Sequence, residues 1–120
     1  MTYTDNVVAG GGSCTLRAQL TDCAGTMVAP ADVTAIALNI YEYLNPSAHV
    51  DGYYELAIPL TAMLAEYEED CQGRKFNFSF NPFHDGKPMF PKRQTVYVIE
   101  LVWTDTHGKP YAQSMEVEAQ

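Results

Sequence analysis

The chain has 120 residues, of which 47% are hydrophobic and 18% are charged, and its formal net charge at pH 7 is −8. This length suits a single domain with one core, and the apolar content excludes a disordered chain. Because a nucleic-acid-binding surface needs clustered Lys and Arg, the acidic balance argues against nucleic acid as a partner.

Segments that direct a protein to a membrane or out of the cell are missing from the sequence. No apolar stretch approaches the length of a membrane span. Residues 1–12 have neither the basic start nor the apolar run of a signal peptide. We therefore expect synthesis in the cytoplasm, no signal peptide and no membrane partner.

The cysteines Cys14, Cys23 and Cys71 form an odd set without C-x-x-C spacing. This arrangement argues against both a disulfide framework and a zinc site. We expect free thiols. A bridge between Cys23 and Cys71 is the alternative, because both lie in predicted loops.

Alternation of apolar and polar residues, the period of a half-buried strand, marks most of the chain. Turn signals separate the alternating segments, and a bend at 30–33 follows the first of them, because proline cannot join a central ladder. The main predicted strands are 14–20, 34–44, 54–58, 76–80, 94–103 and 110–118. A continuation at 26–28 brings the total to about seven strands, as in a β-sandwich.

The period changes between residues 60 and 67. The apolar residues there follow helical spacing at i, i+3, i+4 and i+7: Leu60, Met63, Leu64 and Tyr67. This is one apolar stripe of a helix, and the preceding Pro59 suits a helix start. We predict one short helix over about 60–67.

Residues 1–12 combine a small apolar patch, Val7 and Val8, with glycines at 10–12. Glycine leaves the backbone unrestrained, so we predict a flexible N-terminal arm over 1–12. The remaining residues, 13–120, form the single predicted domain.

Short strands with one helix are typical of a mostly β fold, since one helix cannot supply the crossovers of a parallel sheet. The sequence predicts a single antiparallel β-sandwich of immunoglobulin-like architecture. The Cys…Trp…Cys pattern of true immunoglobulin domains is absent. The likeness is therefore architectural and implies no antibody-like function.

Motifs of known catalytic chemistry are missing: a nucleophile-elbow serine, a glycine-rich phosphate loop and the H-E-x-x-H zinc motif. The histidines His49, His84 and His107 lie in separate predicted loops, where they read as polar turn residues. We expect no catalytic residue, no metal ligand and no cofactor.

The predicted strand 94–103 is apolar on both faces. One face carries Tyr97, Ile99, Leu101 and Trp103, and the other carries Val96, Val98 and Val102. Both faces therefore need cover. Glu100 interrupts the second face, so it is expected to pair with an arginine such as Arg17, to lie at an interface, or to mark a face that is only partly buried.

Two groups of residues are candidates for contact with a partner. Apolar residues on the arm and on the long loop 81–93 need cover, and they form the first group: Val7, Val8, Phe83, Met89 and Phe90. Tyrosines around one predicted hairpin form the second group: Tyr41, Tyr43, Tyr53 and Tyr54. Tyrosine is common in contact surfaces, although the edge of an ordinary sheet has the same composition.

The order of strands and turns resembles that of small accessory proteins encoded among the head and tail structural genes of tailed bacteriophages. The segments that carry this resemblance are 15–22, 30–33, 36–41, 73–78, 90–101 and 116–118. It covers nearly the whole chain. It implies an immunoglobulin-like β-sandwich that decorates a capsid or joins head and tail parts, with neither catalytic residues nor a cofactor.

On this basis we expect a non-enzymatic structural component of a virion. Its partners would be other virion proteins of the capsid, neck or tail, or further copies of itself as a homo-oligomer. The alternative is a stand-alone module that binds carbohydrate or a cell-surface ligand through the tyrosine group. Saturable binding to a sugar would distinguish this alternative from assembly.

Overall fold

The computed structural model describes the backbone of Thr2–Tyr3 and Val7–Val8, and residues 12–83 and 86–120 in full. Within these residues the chain forms ten strands and two 3-10 turns, Pro30–Asp32 and Leu60–Ala62. The strands are β1 (Thr2–Tyr3), β2 (Val7–Val8), β3 (Leu16–Ala18), β4 (Val33–Glu42), β5 (Asn45–His49), β6 (Leu56–Ile58), β7 (Met63–Glu69), β8 (Lys75–Phe80), β9 (Thr95–Asp105) and β10 (Pro110–Ala119).

The strands form two sheets. The first has the order β1-β3-β8-β7, and the second has the order β2-β10-β9-β4-β5, with β6 also paired to β4. Among the described strands the pairs are antiparallel except for β2 with β10, which run parallel. Strands β3, β8 and β7 correspond to immunoglobulin strands B, E and D, and β4, β9 and β10 to C, F and G. The predicted immunoglobulin-like β-sandwich is confirmed.

The predicted helix over 60–67 is wrong. Leu60–Ala62 forms a 3-10 turn, and β7 then runs antiparallel to β8. The ladder between β7 and β8 is interrupted between Met63 and Glu68, so this edge strand lacks strict two-residue alternation. Met63 is buried in the core, whereas Leu60 and Tyr67 are 43% and 54% exposed, so the four residues do not form one buried stripe.

The core lies between the two sheets, and β9 contributes four side chains of its inner face to it. Tyr97, Ile99, Leu101 and Trp103 are each at most 2% exposed. The Tyr97 hydroxyl accepts a hydrogen bond from the Lys92 main-chain N–H at 2.9 Å. This contact corresponds to the tyrosine corner of immunoglobulin-type sandwiches. Burial raises the pKa of Tyr97, so the hydroxyl stays neutral at physiological pH.

The described part of the loop between β8 and β9 packs on the domain's own core. Met89 and Phe90 are fully buried, and the Phe90 ring lies 5.5 Å from the Tyr97 ring. Tyr53, also fully buried, donates a hydrogen bond from its hydroxyl to the Lys87 main-chain oxygen at 2.6 Å. The apolar content of this loop is thus accounted for within the domain, with Phe83 as the exception at 49% exposed.

Three hairpin turns share the sequence Asp-x-x-Gly and one hydrogen-bond pattern: residues 22–25, 70–73 and 105–108. In each turn the glycine N–H donates to the aspartate main-chain oxygen at 3.0 to 3.1 Å. The aspartate carboxylate accepts hydrogen bonds from two further main-chain N–H groups at 2.8 to 3.0 Å. The glycine φ lies between +78° and +82°, where other residues are strained.

The predicted arm falls largely on residues outside the described set. Of its described residues, Thr2–Tyr3 pairs with β3 and Val7–Val8 pairs with β10. Gly12 forms an isolated bridge to Phe90. The flexibility of the arm stays a prediction.

Replacing Phe90 by Ala should lower the free energy of unfolding by about 3 to 5 kcal/mol, because it leaves a cavity in the core. Phe83→Ala is the matched control from the same loop, and it should cost about 0.5 kcal/mol or less. Chemical denaturation measures both. Equal costs for the two variants would contradict the placement of Phe90 in the core.

Asp105→Asn should destabilise the protein at neutral pH and have less effect in acid. The main-chain hydrogen bond from Lys109 is the largest influence on the Asp105 carboxyl, and the pKa of this group lies below its ordinary value. The carboxylate therefore contributes stability above the unfolded-state pKa, and the contribution is lost as pH falls through the folded-state pKa. The measurement is the urea midpoint of wild type and variant at pH 7 and at about pH 2.5. The difference between the two midpoints should be smaller at the lower pH.

The control for this experiment is Glu116→Gln, which makes the same carboxylate-to-amide change at an exposed residue of β10. Its midpoint at pH 7 should stay near that of wild type. If the midpoint of Asp105→Asn differs from that of wild type as much in acid as at pH 7, the charge of the carboxylate does not stabilise the turn.

Candidate functional site

The outer face of the second sheet carries an apolar surface that the described part of the chain leaves partly exposed. Because strand side chains alternate, the burial of Tyr97 and Ile99 sends Val96 and Val98 to the opposite face. Val96 is 36% exposed, whereas Val98 is buried. The sequence predicts that both apolar faces of β9 are covered. The inner face is covered by the core, and the outer face is covered only in part.

Neighbouring strands extend this surface. Tyr41 on β4 lies opposite Val98 in the ladder, and the Tyr43 main-chain N–H donates to the Val96 main-chain oxygen at 2.9 Å. Leu44, at the turn between β4 and β5, is 91% exposed. We call the following set the apolar patch: Tyr41, Tyr43, Leu44, Pro46, Val96 and Val98.

Two grooves lie along the patch and share Tyr43. The larger has a volume of about 480 Å³ and runs between Tyr41 and Glu116. The smaller, of about 300 Å³, is lined by Leu44, Val96 and neighbouring residues. Tyr43 is 52% exposed and lines both grooves. Two open grooves that share one exposed tyrosine suit an irregular partner surface better than one enclosed ligand.

Carboxylates border the patch. Glu116 and Glu118 on β10 lie opposite Val98 and Val96 in the ladder with β9. Glu42 forms an ion pair with Lys92 at 3.1 Å. These acids give the patch a polar rim, the arrangement found in protein interfaces.

Glu100 lies at the centre of this face and is half-buried. Its carboxylate accepts a hydrogen bond from Asn39 Nδ2 at 3.2 Å, and Asn39 Oδ1 in turn accepts one from the Glu55 main-chain N–H at 2.7 Å. Arg17 lies on the other sheet, where its guanidinium stacks over the Phe76 ring. Of the alternatives weighed for Glu100, the structure favours a partly buried face over an arginine pair.

The structure divides the tyrosine group. Tyr41 and Tyr43 belong to the apolar patch, and Tyr53 is fully buried. Tyr54 is 60% exposed. The His49 ring lies between the rings of Tyr54 and Tyr41, with its centroid 4.4 Å from that of Tyr54 and 5.8 Å from that of Tyr41. The sequence-based placement of His49 in a loop is wrong, because His49 ends strand β5, whose polar residues show no alternation.

The first group of predicted contact residues is also divided. Met89 and Phe90 are core residues rather than contact residues, because both are fully buried. Phe83 is half-exposed but lines neither groove. For Val7–Val8 the structure describes only the main-chain pairing with β10, and their side chains lie outside the described set.

Other features offer little chemistry. Among the described residues, no group of three or more His, Cys, Asp and Glu side chains is placed to hold a metal ion. Within the described part of the chain no disulfide joins the three cysteines; Cys14 is buried, and Cys23 and Cys71 are exposed. In the described part of the chain no helix is both long and apolar enough to cross a membrane. His84 lies outside the described residues.

Comparison of the chain with protein-family models, curated proteins and solved structures found no match. The resemblance to phage accessory proteins therefore stays a prediction from the sequence.

Tyr53→Phe should lower the free energy of unfolding by about 1 kcal/mol, because it removes the buried hydrogen bond to the Lys87 carbonyl. The neighbouring change Tyr54→Phe is the matched control, and it should have no measurable effect on stability. Thermal or chemical denaturation of both variants checks this expectation. An equal effect at the two positions would argue against the different placement of these adjacent tyrosines.

Proposed function

We propose that the chain is a non-enzymatic structural component of a phage-type particle, and that it assembles with another particle protein through the apolar patch. The position would be on the capsid, as a decoration or cement protein, or at the head–tail neck. Two independent lines support this proposal. One is the sequence resemblance, and the other is the outer face of the second sheet.

The observation that carries the assembly role is the continuity of exposed apolar side chains at one end of this face. Tyr43, Leu44 and Val96 are neighbours there, joined by the main-chain contact between Tyr43 and Val96. Exposed contiguous apolar patches with a polar rim are typical of interaction sites. Burying one such side chain contributes about 1.5 to 3 kcal/mol, so this corner could anchor an interface.

The first experiment is density-gradient sedimentation of lysate from the native source, followed by mass spectrometry. A virion component should travel with large particles in fixed ratio to more abundant shell or tail proteins, and it should resist washing. Recovery only in the slow soluble fractions would contradict the particle role.

Tyr43→Ala combined with Leu44→Ser should weaken attachment to particles by about tenfold or more, since truncating an aromatic anchor at an interface costs about 2 kcal/mol. Tyr67→Ala is the matched control: Tyr67 lies on β7 in the other sheet and is 54% exposed, against 52% for Tyr43. Re-binding of purified variants to stripped particles measures the effect. Equal attachment of the two variants would exclude the patch as the docking surface.

A second candidate function, binding of carbohydrate, is favoured by the row of rings formed by Tyr41, His49 and Tyr54. Exposed aromatic faces are suitable contact surfaces for sugars, because they bury area and keep a polar group available. A glycan array is the direct test. Saturable binding that Tyr54→Ala abolishes, and that Tyr43→Ala with Leu44→Ser leaves intact, would favour this candidate over assembly.

A further inference from the structure

We infer that the partner surface of the apolar patch is basic, presenting Lys or Arg side chains beside apolar ones, and that it is not a second copy of this chain. This inference rests on the proposed function, since it concerns the chemistry of the surface that the patch would contact. The inference is drawn from the charged side chains around the patch.

Two acids stand directly beside the patch. Ladder partners lie about 4.5 to 5.5 Å apart at Cβ, so the register places Glu116 against Val98 and Glu118 against Val96. Glu116 also lines the larger groove. An interface that covered the patch would therefore cover or border both carboxylates.

Neither of these two acids forms an ion pair with a described residue. Lys92 is already paired with Glu42, and Arg93 lines a groove with Glu118 without forming an ion pair between them. Within residues 12–83 and 86–120, neither Glu116 nor Glu118 has a Lys, Arg or His nitrogen within 4.0 Å. A carboxylate that loses water without gaining a partner is strongly destabilising, so a binding surface has to supply the positive charge.

A second copy of the chain that presents the same patch does not meet this requirement. In a symmetric dimer the same patch faces itself, so each copy would bring the same acidic rim to the interface. Each chain also carries a formal net charge of −8. Like charges across an interface disfavour association, which leaves a basic, different protein as the fitting occupant.

The test is selection of binders from a random-sequence peptide library by mRNA display, with the full chain immobilised as bait. Selected peptides should interleave Lys or Arg with apolar residues. The double variant Glu116→Lys with Glu118→Lys should bind such peptides at least about tenfold more weakly, which corresponds to about 1.4 kcal/mol. Binding should also weaken as salt rises from about 0.05 to 0.5 M.

The matched control reverses two exposed acids on the other sheet, Glu66→Lys with Glu68→Lys, and it has the same net charge as the test variant. It should bind the selected peptides within about twofold of wild type after correction for the general effect of net charge. Equal loss in the two double variants would show that net charge, not the patch, governs binding. Selection of neutral or acidic peptides, or of none that competes for the patch, would also overturn the inference.

The outcomes separate this inference from the proposed function. If the chain sediments with particles but Glu116→Lys with Glu118→Lys leaves attachment intact, the basic partner is excluded and the particle role stands. If basic peptides bind the patch but the chain never joins particles, the charge inference stands and the particle role fails.

Discussion

The pairing of β9 with β4 on one side and β10 on the other is the constraint on which the rest of the structure depends. These ladders are the longest in the described chain. They hold the aromatic and aliphatic inner face of β9 against the first sheet, and they fix the register of both neighbours. Because side chains alternate along a strand, the same pairing decides which residues reach the outer face. The core and the candidate site are therefore two sides of one element.

The hydroxyl groups of two buried tyrosines attach the loop before β9 to the core. The hydroxyl of Tyr97 meets the main chain at Lys92, and that of Tyr53 meets it at Lys87. Between these points Met89 and Phe90 fill the core. A buried hydroxyl needs a hydrogen-bond partner, and a loop carbonyl or N–H is a suitable one. The end of the long loop is thereby made part of the packed domain, and the turn that carries Tyr43 and Leu44 remains as the exposed apolar feature of the patch.

The apolar patch and its carboxylates contribute with opposite signs to the free energy of binding a partner. Covering Leu44 and Tyr43 with protein would release water from apolar surface, which is favourable. Covering Glu116 would remove water from a carboxylate, which is unfavourable unless a cation replaces it. Such a combination gives an interface selectivity more than strength, because it admits basic surfaces and rejects acidic ones. A surface of this kind disfavours contact between the patches of two copies of this chain, because both would bring carboxylates.

The sequence by itself determined the fold class and the strands β4, β8, β9 and β10, because two-residue alternation records which side of a strand is buried. It failed at 60–67, where an interrupted edge ladder removes that alternation, and at β5, which is too polar to show it. Only the tertiary structure decided that Tyr53 is buried and Tyr54 exposed, and that Met89 and Phe90 point inward. Adjacent or loop residues carry no period, so their burial depends on what packs against them from distant parts of the chain.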